Sequence, residues 1–377
     1  MEQEWSRVMP VRTYLKTFRE PFYLLFFIPQ FACVSWGWGS ADWPYRAAFA
    51  AGIPFLLLCM ACEEYSLREA VKMAAFAVLI AWAYMQNRNR SLILACMAVY
   101  GVKGLDLKRI LRWAFWVMLI CMSLKVALCA AGILPNKVLE LPKENGVMYM
   151  IPCYGYDTPN NLFFHLVTVV LMAMALYGDA FRWPALLVVL LMYGAYRVLI
   201  SRTGWLCFLA LAALYLSASY LHSKKKEGML SVLRILMVLS PAFLFLLNLF
   251  LIYLQRTGMR AIVVVNGLLN GRLFFANEAF ENIGISLLGS KNAVQLDMLY
   301  ATMLLNYGVL LSIICIGAYS VAMWKLRKKK EDLLLIAMTV MAIYSFMEVN
   351  AINPMWNPFL LYVSVTLFET DDFTLKC

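Results

Sequence analysis

The sequence predicts an all-α, polytopic membrane protein, and three observations support that fold class. Hydrophobic residues make up 63% of the 377 residues and charged residues only 15%, against roughly 45–50% and about 25% in soluble globular chains. Apolar stretches recur along the chain, each near the roughly 20 residues that a helix needs to cross hydrocarbon. Basic residues gather in every second connection between those stretches, as the positive-inside rule requires.

About twelve apolar segments carry this prediction, and the fourth and the last of them are short. Together they predict a single integral membrane domain over residues 1–377, with about twelve transmembrane helices. The predicted spans are 21–39, 44–62, 69–86, 91–103, 113–134, 161–178, 184–200, 204–221, 229–254, 298–323, 333–349 and 356–369.

The basic residues also predict an orientation. With the N-terminus in the cytoplasm, the inward connections contain about twice as many Lys and Arg residues as the outward ones. The inward groups include the Lys224–Lys226 and Lys328–Lys330 runs. Both termini are therefore expected in the cytoplasm, and the formal charge of +11 is explained by topology without a nucleic-acid partner. The first apolar run has no clear small-residue cleavage site, which predicts an uncleaved first helix.

Cysteine and histidine usage argues against a metal site or a disulfide framework. The ten cysteines are scattered and lie mostly within apolar spans, which is typical of buried thiols. Cys59 and Cys62 have a C-x-x-C spacing but no second pair to complete a metal site. The chain has no glycine-rich phosphate-binding loop. We therefore expect no metal and no cofactor, so that any substrate must arrive already activated.

Two long external segments stand out, at about 135–160 and about 255–297. The second carries basic residues on the face where positive charge should be scarce, which predicts an anionic partner there. Guanidinium groups stay charged and offer several donors in a fixed geometry, so outward arginines are candidate ligands of a phosphate or pyrophosphate. These arginines are Arg197, Arg202, Arg256, Arg260 and Arg272.

Several of these residues also have a plain structural interpretation. Arg197 at the end of a span is expected either to snorkel or to bind a ligand. Arg256 and Arg260, four residues apart, either bind a ligand or form a solvated helix face. Lys125, in the middle of the fifth span, either lines a cavity or pairs with a carbonyl group.

The outward carboxylates are the candidates for proton transfer. Asp297 lies at the start of a span, where it is either a helix cap or a general base that accepts the proton of an attacking sugar hydroxyl. Glu348, at the outer end of another span, is more often the partner of an arginine than a catalyst. Asp157 is the third candidate for the base. Glu278 and Glu281 complete the set.

Four motifs over residues 150–310 carry a resemblance to a known family. They are Tyr154–Asn160 (YGYDTPN), Ile200–Gly204 (ISRTG), Asn270–Gly289, which opens with Asn-Gly-Arg, and Leu296–Gly308, which contains Asp297 and ends in Asn-Tyr-Gly. In this order they resemble segments of the bacterial O-antigen polymerase and ligase family, especially the Wzy-type polymerases of capsule and exopolysaccharide clusters.

The sequence departs from the family pattern at two positions. The family's histidine in the first motif is Thr158 here, and the asparagine that usually follows the acidic or histidine position is Met298. Because the residue at position 297 is an aspartate, a proton acceptor is retained, whereas a histidine-based mechanism is doubtful.

The resemblance implies a GT-C-like, metal-independent glycosyltransferase in the bacterial cytoplasmic membrane, with its active site on the outer side. Such a polysaccharide polymerase transfers a growing glycan from undecaprenyl pyrophosphate to the terminal sugar of a lipid-linked repeat unit, with a flippase and a chain-length regulator as partners. The resemblance implies catalytic roles for Asp297, Arg272 and Arg202. It implies substrate binding by Arg197, Arg256, Arg260, Asn160, Asp157, Tyr156, Tyr300 and Glu348.

Two other functions remain open at this stage. A ligase that passes the glycan to a different acceptor fits nearly as well, because acceptor choice depends on loop shape. A flippase or other transporter of lipid-linked oligosaccharides would also have about twelve spans and a cationic cavity. Transporters of this kind usually show broken helices or repeat symmetry with charges near the middle of the bilayer, whereas the charges here gather at the outer rim.

Overall fold

The computed structural model describes residues 17–142, 148–178, 185–291 and 294–368. The chain forms two compact units. Unit 1 comprises Met1–Ala70, Met97–Trp205 and Phe368–Cys377, and unit 2 comprises Val71–Cys96 and Leu206–Leu367. Three of the four boundaries fall within the helices Leu67–Asn87, Ser91–Gly101 and Arg202–Ser223, and the fourth follows the helix Ser364–Leu367.

Helices dominate the described part of the chain. Up to residue 199 they are α1 (Arg19–Ser35), α2 (Trp43–Ala61), α3 (Leu67–Asn87), α4 (Ser91–Gly101), α5 (Leu107–Ala130), α6 (Pro159–Tyr177) and α7 (Ala185–Leu199). Beyond residue 200 they are α8 (Arg202–Ser223), α9 (Glu227–Gln255), α10 (Arg260–Leu268), α11 (Arg272–Ile283), α12 (Leu299–Thr302), α13 (Gly308–Lys328), α14 (Asp332–Ser345) and α15 (Ser364–Leu367). A π-helix covers Met303–Tyr307, and 3₁₀ helices cover Val349–Ile352 and Pro358–Val363.

Six helical segments of the described chain are long and apolar enough to cross a membrane. They are α2, α5, α6, α8, α9 and the continuous segment Leu299–Lys328. Shorter apolar helices include α4, α7 and α14. Each of the twelve predicted spans overlaps a helical segment, so the prediction of a helical protein with membrane-spanning helices is confirmed in this coarser form.

In unit 1, α1 packs against α2 and α5 through aromatic side chains. Gly52 of α2 lies directly on α1, where a Cβ atom would come within 3.2 Å of the Cα atom of Phe26. The Phe27 and Phe31 rings stack with centroids 5.4 Å apart. The small residue on α2 thus lets the two backbones approach closely, as is common where helices meet in a membrane.

Buried charges at the start of α1 are paired within unit 1. Arg19 forms an ion pair with Glu63 and donates to the carbonyl group of Lys103 at 2.6 Å. Lys103 in turn donates to Glu69 at 2.6 Å. Since an unpaired charge in a low-dielectric environment is costly, these pairs fix the connections that follow α2 and α4 to the start of α1.

The first predicted external segment contains a β-hairpin that the sequence did not predict. Strands β1 (Val138–Pro142) and β2 (Met148–Pro152) pair antiparallel, with Leu139 opposite Ile151. Residues 143–147, which connect the strands, lie outside the described residues. The predicted external segment of about 135–160 is therefore partly ordered strand.

In unit 2, the long helix α9 packs against α13 and α14. Almost every side chain of α14 is buried, from Leu334 to Ser345, as expected for a helix that is apolar on all sides. Arg234 of α9 forms a bidentate pair with Asp332 at the start of α14, at 2.6 and 2.7 Å. The pair fixes the position of α14 along α9.

The second predicted external segment is largely helical, which the sequence did not predict. Residues 260–283 form α10 and α11, and both helices pack on α9. The nine residues of α10, RAIVVVNGL, include a single charged side chain. Residues 292 and 293 of this segment lie outside the described residues.

The predicted span at 298–323 is not a continuous α-helix. It begins as α12, continues as the π-helix and restarts at Gly308, whose φ of +81° is left-handed. The extended segment 285–290 lies against this break, with Val309 donating to Ser286 and Ser290 donating to Leu305, both at 3.1 Å. π-helical turns inside α-helices are frequent at functional sites.

Candidate functional site

The sequence-predicted site residues are divided between the two units. Unit 1 contains Tyr156, Asp157, Asn160, Arg197 and Arg202. Unit 2 contains Arg256, Arg260, Arg272, Asp297, Tyr300 and Glu348. Each group is described within its own unit.

Arg272, Asp297 and Glu348 meet in unit 2 and form what we call the Arg272 cluster. The Nε atom of Arg272 donates to Asp297 Oδ2 at 3.1 Å, and its Nη2 atom donates to Glu348 Oε1 at 3.1 Å. The Nη1 atom donates to the carbonyl group of Met347. One guanidinium group therefore joins α11 to Asp297, two residues before α12 begins, and to the turn after α14.

The local backbone explains why Arg272 has this position. Asn270 and Gly271 both have left-handed φ angles, +54° and +79°, and Gly271 donates to Asn266 at 2.8 Å. This turn ends α10 and makes Arg272 the first residue of α11. Asparagine and glycine are the residues that adopt left-handed backbone most easily. The Asn-Gly-Arg motif therefore contains both the two residues that form the turn and the arginine that the turn positions.

The two carboxylates of the cluster lie in different environments. The side chain of Asp297 is 64% exposed, whereas that of Glu348 is 11% exposed. Arg272 therefore holds one exposed carboxylate and one buried carboxylate. Two carboxylates in unequal surroundings on one guanidinium group are typical of sites that bind or move protons.

The Arg272 cluster lies at the end of α14 that is opposite the basic Lys328–Lys330 run. Asp332 begins α14 directly after that run, and Glu348 follows the last residue of α14 by three positions. The helix has fourteen residues and is therefore roughly 21 Å long. The cluster and the basic run thus lie near opposite ends of unit 2.

Arg256 and Arg260 differ in their surroundings. Arg256 donates to Asn277 at 2.9 Å and lies 3.6 Å from Glu281, so it is bound to α11. Arg260 is exposed at the start of α10, and no carboxylate of the described residues pairs with it. Of the two, only Arg260 presents its guanidinium group freely.

Tyr300 does not have the position expected for a residue that contacts a substrate. It is buried, and its hydroxyl group donates to Ala342 at 2.9 Å. It lines a mostly apolar cavity of about 70 Å³ together with Tyr319, Ser345 and Asn357. Ligand pockets usually measure about 300–1,000 Å³, so this cavity is too small for a sugar, and Tyr300 serves the packing of α12 against α14.

Tyr156 of unit 1 is likewise buried, which argues against the expected contact with a substrate. Its hydroxyl group donates to Ser35 at 2.7 Å, and the His165 ring lies edge-on to it at 5.5 Å. The ammonium group of Lys125 lies 4.5 Å from the centre of its ring and donates to the carbonyl group of Trp36. Lys125 therefore pairs with a carbonyl, one of the two alternatives that its sequence position left open.

The remaining candidates of unit 1 lie at helix ends. Asp157 is exposed, and Asn160 is half-buried in the first turn of α6, which Thr158 caps by accepting from Asn161. Arg202 is the exposed first residue of α8, and no carboxylate of the described residues pairs with it. Arg197 is exposed and donates to the Tyr193 hydroxyl group at 3.2 Å.

The Ser-Arg-Thr-Gly turn before α8 has a structural basis of its own. Ile200 has a left-handed φ of +50°, which ends α7, and Ser201 accepts from the backbone of Gly204 at 3.4 Å. Gly204 lies against the buried ring of Phe163, where a Cβ atom would come within 2.8 Å of the ring atom Cε1. The glycine of this motif thus permits close packing of α8 on α6.

Gly204→Ala is expected to destabilise the protein, because the fully buried Phe163 has no space into which to move. Overpacking of this kind costs about 1–3 kcal/mol. Gly194→Ala is the matched control, since a Cβ atom at Gly194 of α7 meets nothing within 4 Å. Thermal unfolding in one detergent checks both variants. If Gly204→Ala unfolded at or above the temperature of Gly194→Ala, the close approach would be of no energetic consequence.

Two features of the site were missed at the sequence level. Nothing in the sequence predicts that the carbonyl group of Met347 accepts a hydrogen bond from Arg272. Asn306 accepts from Val294 and donates to the Val294 carbonyl group, both at 2.9 Å, so it holds the chain that leads to Asp297. Its presence in the Asn-Tyr-Gly motif was the available signal, because a buried polar residue in an apolar span needs partners.

The residues that the structure describes contain no group of three or more His, Cys, Asp and Glu side chains that could hold a metal ion. No protein-family model, curated protein or solved structure matches the chain. Function is therefore inferred from the residues and their geometry.

Proposed function

We propose that this protein is a polysaccharide polymerase, a metal-independent glycosyltransferase that acts on lipid-pyrophosphate-linked substrates. The observation that carries the proposal is the hydrogen bond between Arg272 and Asp297 at 3.1 Å. These two residues belong to different motifs of the family resemblance and are 25 positions apart in the sequence. Their meeting supplies a cation and an exposed carboxylate at one place.

In the proposed reaction, a hydroxyl oxygen of the acceptor's terminal sugar attacks the anomeric carbon of the donor glycan. A new glycosidic bond forms, and the bond between that carbon and the pyrophosphate oxygen breaks. Undecaprenyl pyrophosphate leaves with the electron pair of the broken bond, and the hydroxyl proton passes to the carboxylate of Asp297. General-base catalysis of this kind contributes typically about 10²–10⁴-fold to the rate.

The geometry suggests a more specific role for Arg272 than the sequence did. Carboxylates already occupy its Nε and Nη2 atoms, so we assign it to the orientation of Asp297. Within unit 2, Arg260, which no carboxylate of the described chain neutralises, keeps the predicted role of a pyrophosphate ligand. Arg202 of unit 1 keeps its own predicted role as an anion ligand. Cations near the leaving group stabilise its developing charge without a metal ion.

The position of the cluster supports the proposed topology. If the Lys328–Lys330 run is cytoplasmic, as the positive-inside rule predicts, the opposite end of α14 faces the outer side of a bacterial cytoplasmic membrane. Lipid-linked repeat units would reach the cluster there after a flippase has moved them across. We also propose about twelve spans, on the basis of the apolar segments, and a GT-C-like architecture, on the basis of the family resemblance.

Deletion of the gene tests the proposal, with mass analysis of lipid-linked intermediates and gels of the surface polysaccharide. A polymerase predicts a single repeat unit on the lipid, exposed on the outer leaflet, and recovery of long polymer when the wild-type gene is restored. A single unit trapped on the inner leaflet would instead identify a flippase. Long polymer retained on its lipid carrier would identify a ligase, and unchanged polymer would refute all three.

A further inference from the structure

Helices α10 and α11 present a continuous apolar surface to their surroundings. Val263, Val264 and Leu268 of α10 and Phe274 and Phe275 of α11 are each more than half exposed. We call these five residues the α10–α11 apolar face. In α10 only Ile262 is buried, so most of the apolar side chains of this helix gain nothing from packing within the protein.

The chain leads into this face from a helix with a long exposed apolar stripe. At spacings of three and four residues, α9 exposes Val232, Leu236, Leu239, Phe243, Leu246, Phe250 and Tyr253. Such a stripe on a membrane-spanning helix faces lipid. Helix α10 begins only five residues after α9 ends, and Met259 in the connection is exposed as well.

Charged residues mark both limits of the apolar face. Arg260 is exposed at the start of α10, and Glu278 and Glu281 are exposed in the later turns of α11. Residues 274, 278 and 281 share one face of α11 because they recur every three or four positions, and residue 275, three positions before 278, lies beside them. That face therefore changes from aromatic to acidic along the helix, which is the pattern of a segment that passes from lipid into water.

We propose that α10 and the first turn of α11 lie in the membrane interface, with Val263, Val264, Leu268, Phe274 and Phe275 in contact with the acyl chains of one leaflet. Arg260 then reaches the lipid phosphate groups, and the last turns of α11 are in water. Helices of this type lie in the plane of the interface, with their apolar face buried about 5–10 Å into the boundary. This placement does not depend on the proposed function.

The proposed position of α10 and α11 brings the Arg272 cluster close to the lipid. Arg272 is the first residue of α11, and its side chain is turned away from the apolar face toward Asp297 and Glu348. The proposed leaflet surface therefore lies within one helical turn of the cluster. An anionic head group carried by a lipid would meet Arg260 first, without leaving the membrane.

Spin labels at single introduced cysteines test the proposal in protein reconstituted into lipid nanodiscs. The labelled variants are Val264→Cys and Phe274→Cys, with Leu236→Cys on α9 as the lipid reference and Glu278→Cys on α11 as the water reference. Labelled unsubstituted protein supplies the background from the ten native cysteines. The measured quantity is the ratio of collision rates with oxygen, which concentrates in lipid, and with a water-soluble nickel chelate.

Val264→Cys and Phe274→Cys are expected to show an oxygen-dominated ratio close to that of Leu236→Cys, and Glu278→Cys a nickel-dominated one. Nickel-dominated ratios at positions 264 and 274 would place the face in water and overturn the proposal. Low collision rates with both reagents would mean that protein covers the face, such as a second copy of this chain, and would also overturn it. Because the two labelled residues are exposed, neither substitution removes a packing contact that folding requires.

Discussion

Asp297→Asn is expected to lower the rate of polymer formation by about 10²–10⁴-fold, the usual contribution of a general base. The amide keeps the size of the side chain and still accepts the hydrogen bond from Arg272 Nε, but it cannot take up the hydroxyl proton. Asp297 is 64% exposed, so the substitution should leave folding and expression unchanged. The measurement is polymer yield in cells that lack the native gene, normalised to the amount of protein in the membrane.

Glu278→Gln is the matched control, because it neutralises an exposed carboxylate of the same unit that makes no described contact with Arg272. It should support normal polymer.

Arg272→Lys should lose polymer as well, since a lysine cannot bridge two carboxylates and the Met347 carbonyl group as the guanidinium fork does. Arg202→Ala is expected to abolish polymer through loss of an anion ligand. Normal polymer from all three site variants would show that the assigned site is wrong.

The substitution Arg272→Ala is less informative than Arg272→Lys. It would leave Glu348 buried without its cation, and loss of one partner of a buried pair costs about 3–5 kcal/mol. Lost polymer could then reflect lost folding. Asp297→Asn separates the two effects, because it changes proton transfer while the contact between Arg272 and Glu348 persists.

The sequence predicts the helical segments because a helix that crosses hydrocarbon must be apolar over roughly 20 residues. A stretch such as 229–254 is apolar over the whole thickness of the hydrocarbon, and α9 covers Glu227–Gln255 as composition predicts. The same rule does not identify α10, because its nine residues, RAIVVVNGL, are too few for a span. Exposure in the folded chain, which no periodicity reveals, distinguishes an interfacial helix from a loop.

The sequence predicts which residues belong to the candidate site but not which of them contact one another. Arg272 and Asp297 were identified by charge on the outer side, and Glu348 was expected to pair with an arginine. Which arginine it contacts depends on the turn at Asn270 and Gly271 and on the end of α14 at Ser345, three residues before Glu348. The burial of Tyr156 and Tyr300 was not predictable, because an aromatic residue near a helix end has the same sequence pattern whether it faces a substrate or a neighbouring helix.

Gly308→Ala is expected to destabilise unit 2 strongly, because the added methyl group meets backbone atoms at a left-handed position. The residue has a φ of +81°, and left-handed backbone costs a residue with a Cβ atom about 1–2 kcal/mol. The added Cβ atom would come within 2.6 Å of the carbonyl oxygen of Leu287 and would contact the backbone nitrogen of Gly289. Both contacts are with backbone, so no side chain can rotate away from them.

Relief of these contacts requires the segment 285–290 to move away from the helix break, which would disrupt the hydrogen bonds of Ser286 and Ser290 with the chain on either side of Gly308. Together with overpacking at about 1–3 kcal/mol, we expect a loss of about 2–5 kcal/mol and an unfolding temperature lower by several degrees. Gly317→Ala is the matched control on the same helix, because a Cβ atom there meets nothing within 4 Å and alanine is favoured over glycine in a helix by about 1 kcal/mol. Thermal unfolding of the two variants in one detergent measures the difference. Equal unfolding temperatures would mean that segment 285–290 is not packed into the break, and the chain leading to Asp297 would then lack the support from which the proposed site is built.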